Sequence, residues 1–208
     1  MLLLFPLLFS LNAHAGLLVE IGQSTFEKPP NHTWWQDVEG WPHRFDMDSL
    51  NWRVGYFEKV SRLFSAGLSL FDLGKYSTLA LASSDEQCVW NNGRASASVC
   101  DGSLNLFETK GTMRGIAVST RYNKNMFFAE LGATYVRQTF NLETDHPVSY
   151  SAKLSGPGYM IGAGVQGKHI TAGVYVYETN VGGDFGRVVA EFPAGVGKAT
   201  VFSLGYLF

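Results

Sequence analysis

Apolar residues alternate with small or polar ones along eight stretches of this chain, at 16–26, 49–58, 63–73, 112–122, 126–138, 158–166, 169–179 and 198–208. A period of two marks a strand whose two faces meet different surroundings. In the fifth stretch Phe127, Ala129, Leu131, Ala133 and Tyr135 share one face, while Phe128, Glu130, Gly132 and Thr134 share the other. The second repeats the rule, with Leu50, Trp52, Val54 and Tyr56 against Asn51, Arg53 and Gly55. Glycine, serine and threonine collect on the second face, leaving room for Phe71, Met113, Phe128 and Tyr175 beside them. Each stretch has about the length a tilted strand needs to cross a bilayer.

The gaps carry more information than the stretches. After the second, fourth and sixth they are tiny: Lys59-Val60-Ser61-Arg62, Asn123-Lys124-Asn125 and Gly167-Lys168. After the first, third, fifth and seventh they are long, at 27–48, 74–111, 139–157 and 180–197. A soluble sandwich has no reason to alternate connections so regularly, whereas a membrane barrel has short turns on one side and long loops on the other. The expected fold is therefore all-β: an eight-stranded, antiparallel, up-and-down transmembrane barrel with the apolar face towards lipid. Tyr56, Phe57, Phe64, Tyr122, Phe127, Tyr206 and Phe208 fall near strand ends and are expected to form the aromatic girdle on the short-turn side.

The last stretch places Phe202, Leu204, Tyr206 and Phe208 on one face and then ends the chain. In water this would be an uncovered, aggregation-prone edge. The cost vanishes if the face meets lipid and the edge pairs with the first strand. This strand resembles the C-terminal signature of bacterial outer-membrane β-barrels, and the whole pattern resembles the small OmpA/OmpX-like group. The resemblance implies an outer-membrane location, recognition of the final strand by the barrel-assembly machinery, and surroundings of outer-membrane lipid and lipopolysaccharide. A monomer is expected.

Composition agrees. Charged residues make up 16 % of the 208, against 14 % aromatic and 23 glycines, where a soluble domain carries about 25 % charged residues. Behind the N-terminus no apolar run reaches the roughly 18 residues of a membrane helix. Residues 1–15 read as a cleaved signal peptide: an apolar segment from Leu2 to Leu11, then Ala13-His14-Ala15 before Gly16, although no Lys or Arg precedes the apolar segment. The barrel domain is then 16–208. Cys88 and Cys100, the sole cysteines, read as a structural disulfide in an exported chain.

The alternation turns Glu20, Arg53, Arg121 and Glu130 inward, where ionised groups need partners. Glu20 with Arg53 and Glu130 with Arg121 are the expected pairs. They form either a gated polar plug, as the resemblance to the OmpA transmembrane domain implies, or the ordinary filling of a narrow lumen, and filling is the expectation. Trp34, Trp35 and Trp41 crowd the first long gap, as interface anchors or as a patch for a surface ligand. Anchoring is the expectation. No basic stripe points to nucleic acid.

Catalytic chemistry finds no foothold. The chain lacks the His-x-Ser pair of lipid A deacylases, and Gly16-Leu17-Leu18 leaves no room for the amphipathic helix that precedes palmitoyl-transferring barrels. His32 and His43, with Asp37 and Asp46, match no metal-ligand spacing, and no cofactor is implied. The expected function is a non-enzymatic surface, structural or adhesive barrel acting through its loops; the alternative is a narrow porin-like channel for ions or small solutes, and a lipid A-modifying enzyme ranks behind both.

Overall fold

The computed structural model describes residues 16–27, 43–82, 105–144, 149–179 and 197–208. Among these lie nine strands: β1 (Gly16–Phe26), β2 (His43–Asp46), β3 (Asp48–Lys59), β4 (Phe64–Ala82), β5 (Asn105–Lys124), β6 (Phe127–Thr144), β7 (Ser149–Gln166), β8 (Ile170–Thr179) and β9 (Lys198–Leu207). Each pairs antiparallel with its neighbours in the order β3, β1, β9, β8, β7, β6, β5, β4, and β4 returns to β3. β2 continues β3 past Met47 and pairs with the outer part of β4, so the wall is eight strands round. The seam runs from Leu18 opposite Leu207 to Phe26 opposite Ala199. Beyond it the Phe208 N–H donates to the Leu17 carbonyl at 2.9 Å.

The short gaps are the tight turns the spacing predicts. Asn125 takes a left-handed conformation, φ 56°, between β5 and β6, a region that asparagine tolerates better than most residues. The long gaps are shorter than expected. β4, β5, β6 and β7 run for 19, 20, 18 and 18 residues, pairing as far as Ala82 with Asn105 and Glu143 with Ser149. Beyond the bilayer the outward face meets water, so Thr139, Asn141, Ser151 and Lys153 stand where lipid depth would demand apolar residues. The apolar alternation fades there although the hydrogen-bonded ladder continues. β2 likewise lies inside what reads as the first loop. A bulge at Asp72–Gly74 begins the extension of β4. Gly74 sits at φ 89°, and a Cβ there would lie 2.4 Å from the Leu50 carbonyl oxygen.

The faces follow the alternation. Outward-pointing Leu50 is 84 % exposed and Leu131 61 %, while inward-pointing Met113 is fully buried. Leaving such side chains in water forgoes about 1.5–3 kcal/mol each, so this wall belongs in lipid. Tyr56, Phe64, Phe127, Tyr206 and Phe208 face outward near the short turns, and Phe64 packs on half-buried Tyr122 with ring centroids 5.2 Å apart. Phe57 is a correction: it is buried in the lumen, not in the girdle. Its position shares the parity of Arg53 and Gly55, and that phase overrides its being aromatic.

Candidate functional site

Strand register builds the site. Glu20 on β1 lies opposite Arg53 on β3, and Arg121 on β5 opposite Glu130 on β6. Both expected pairs form: Arg53 Nε is 2.6 Å from Glu20 Oε2, and Arg121 Nη2 is 2.7 Å from Glu130 Oε2. The structure adds the bridge between them. Arg53 Nη1 and Nη2 donate across the lumen to Glu130 Oε1 and Oε2, at 3.2 and 3.1 Å. Arg121 Nε also donates to Glu130 Oε2 at 3.0 Å, and Ser119 Oγ donates to Oε1 at 2.7 Å. One carboxylate thus serves two guanidiniums.

Tyr175 of β8 completes the cluster. Its hydroxyl accepts from Arg53 Nη2 and Arg121 Nη2, each at 3.2 Å, and donates to Glu20 Oε1 at 2.9 Å. The ring reaches this position because Gly162 lies opposite it on β7. A Cβ on Gly162 would sit 2.1 Å from the Tyr175 ring. Aromatic faces cover the guanidiniums: Arg53 lies 4.5 Å from the Tyr175 centroid, and Arg121 lies 4.8 Å from Phe57 and 4.3 Å from Phe128, a favourable placement for a desolvated cation. Arg121 Nη1 also donates to Gln166 Oε1 at 3.1 Å. None of the four charged residues is more than 3 % exposed, and their charges cancel.

Towards the long hairpins the lumen is packed mainly with apolar side chains, Phe71, Met113, Val136, Met160, Tyr177 and Val201, with Ser24, Asn51, Gln138 and Ser203 buried among them. Phe71 and Tyr177 pack with centroids 4.8 Å apart. The void left between this layer and the ion pairs is about 10 Å³, room for about one water. Towards the short turns the lumen opens into a vestibule of about 330 Å³ bordered by Lys59, Arg62, Arg121, Asn123, Gln166 and Phe208. The arrangement is a neutral, hydrogen-bonded plug beneath a closely packed, mainly apolar layer, with its guanidiniums committed to carboxylates.

Among the described residues no group of three or more His, Cys, Asp or Glu is placed to hold a metal ion. His169 lies by a short turn on the outer wall, stacked on Tyr206 at 5.5 Å, with Nδ1 3.1 Å from the Leu207 carbonyl oxygen. Phe202, Leu204 and Tyr206 face outward on β9, between β1 and β8. The expected disulfide of Cys88 with Cys100, the tryptophans Trp34, Trp35 and Trp41, His32, His146 and residues 1–15 lie outside the described residues. Sequence reasoning placed Tyr175 inward only as bulk and missed Ser119 and Gln166 as partners. Their signal was parity: Ser119 shares the face of Arg121, and Gln166 ends the inward row of β7.

No protein-family model matches the chain, and no curated protein matches it. Solved structures do. Ail, the attachment invasion locus protein of Yersinia pestis, solved with the heparin analogue sucrose octasulfate, aligns over 93 % of this chain and 99 % of its own, with 8 % identity and a TM-score of 0.55. The N-terminal β-barrel domain of Pseudomonas aeruginosa OprF aligns over 93 % and 97 %, with 6 % identity and a TM-score of 0.45. Neisserial surface protein A aligns over 93 % and 95 %, with 9 % identity and a TM-score of 0.44. The likeness to Ail is one of fold: this chain is a closed eight-stranded antiparallel barrel of the outer-membrane kind.

Proposed function

We propose that this barrel is a non-enzymatic integral protein of the bacterial outer membrane, and that its work is done by its long hairpins as structural or adhesive contacts at the cell surface. The observation that carries this reading is the filled lumen: among the described residues, paired charges and the packed layer above them leave a void of about 10 Å³ between them. On this reading the protein acts through its two walls and its ends. The long hairpins offer the largest water-facing surface, and the final strand is the segment on which the assembly machinery acts.

The narrow-channel reading has one observation in its favour, the vestibule that reaches Arg121 from the short-turn side. Single-channel recording of the purified protein in planar bilayers separates the two. The expected result is no stepwise conductance, and steady openings would replace the surface reading with the channel. A gel of unboiled against boiled protein tests the barrel itself: the folded form runs faster, and identical migration would overturn the membrane reading.

A further inference from the structure

Just beyond the apolar band, four adjacent strands carry two rows of outward residues in register. The row nearer the band reads Asp72, Arg114, Arg137 and Ser155 across β4, β5, β6 and β7; the next reads Lys75, Thr112, Thr139 and Lys153. Immediately below them, on the same strands, come Leu70, Ile116, Tyr135 and Pro157. Successive rows are about 7 Å apart along a strand, and neighbouring strands about 4.8 Å apart. Four cations against one carboxylate therefore occupy a patch that begins where the apolar wall stops.

Two features set this patch apart from ordinary surface charge. Arg114 and Arg137 lie directly opposite one another, a like-charged cross-strand pair that is destabilising when nothing lies between. Both are exposed, and neither has an ion pair or hydrogen bond among the described residues. Asp72, opposite Arg114, uses Oδ1 to accept from the Gly74 N–H at 2.8 Å, and Asp46 and Asp48 lie at the other edge of the patch, where they border a cavity with Lys75. On the far side of the barrel Glu178 of β8 lies opposite Lys198 of β9, a cross-strand pair of opposite charge. The Arg114 and Arg137 pair has no such match between its two members.

We propose that this arc is a binding site for the phosphate groups of a phosphorylated lipid headgroup in the leaflet on the long-hairpin side, the anion lying between Arg114 and Arg137 with Lys75 and Lys153 flanking. The proposal rests on the outer-membrane reading above. Guanidiniums take phosphate oxygens in pairs, and the Thr112 and Thr139 hydroxyls supply further donors. An acyl chain from the same lipid runs down over Ile116 and Tyr135, so one molecule satisfies both the charge and the apolar wall. A soluble anion satisfies only the first, which is why the lipid is the assigned occupant.

The test titrates bisphosphorylated lipid A into the folded protein in zwitterionic detergent and reads the lipid-bound barrel by native mass spectrometry. Arg114→Ser/Arg137→Ser is expected to weaken binding about thirtyfold, the loss of about 1 kcal/mol for each cation at a lipid surface. Arg114→Lys/Arg137→Lys retains most of the affinity. Lipid A stripped of its phosphates binds the wild type as weakly as intact lipid A binds the serine variant, and inorganic phosphate does not compete. Lys124→Ser/Lys168→Ser, at the short turns, leaves binding unchanged. Equal affinity of wild type and the Arg114/Arg137 serine variant, displacement by inorganic phosphate, or an equal loss in the Lys124/Lys168 variant would overturn the assignment. Migration of the unboiled protein is scored in parallel, so failure of the barrel reading stays distinct from failure of this one.

Discussion

Glu130→Gln removes the carboxylate that Arg53 and Arg121 share while keeping its shape. Four guanidinium contacts of 2.7–3.2 Å lose their ionic character, and two buried cations are left facing Glu20 alone. Breaking a buried pair from one side costs about 3–5 kcal/mol. Arg121 borders the vestibule of about 330 Å³, where solvent softens the imbalance, so the lower figure applies. A loss of about 3 kcal/mol shifts the unfolding equilibrium about 150-fold. With a urea slope of about 2 kcal/mol/M, the midpoint falls by about 1.5 M. The assay is urea unfolding in phosphatidylcholine vesicles, followed by tryptophan fluorescence and by the fast-migrating band. Arg121→Gln added to Glu130→Gln restores neutrality, leaving Glu20 with Arg53, and is expected to recover at least about 1 kcal/mol relative to additivity. A Glu130→Gln midpoint equal to wild type, or strictly additive losses, would refute the account of the lumen as a coupled charge cluster.

Gly162→Val places a side chain where the Tyr175 ring lies, 2.1 Å from the added Cβ. The ring must leave the cluster, so destabilisation of at least about 3 kcal/mol or loss of the fast-migrating band is expected in the same unfolding assay. Leu131→Arg puts a charge in the middle of the outward apolar wall, with an expected cost of about 2–4 kcal/mol in lipid vesicles; a neutral outcome would mean that this face does not meet lipid.

The barrel was legible because lipid on one side and a packed lumen on the other force opposite residues onto alternate positions. Leu131 and Glu130 are therefore assigned by parity alone, as is the pairing of Glu20 with Arg53 through adjacent strands. Where the same strands leave the bilayer, Thr139 and Asn141 obey no such contrast, and the outer halves of β4–β7 read as loops. The cross-lumen bonds were hidden for a different reason. Arg53 and Glu130 sit on opposite walls, β3 and β6, and no spacing along a chain reports a distance through a cylinder. Tyr175 joins them for the same reason, and Phe57 shows that phase outranks residue type when the two disagree.

The unequal strand lengths give the barrel a lopsided brim. β1, β3, β8 and β9 have 10–12 residues, whereas β4–β7 have 18–20. The stretch of β4 from Gly74 to Ala82 adds about 30 Å of strand, roughly 20 Å of height at the usual tilt. Ala82 at the end of β4 thus stands well above Thr179 at the end of β8. Among the described residues, the paired ends of β4–β7 therefore reach farthest from the apolar wall, and any contact made there is braced by a hydrogen-bonded ladder.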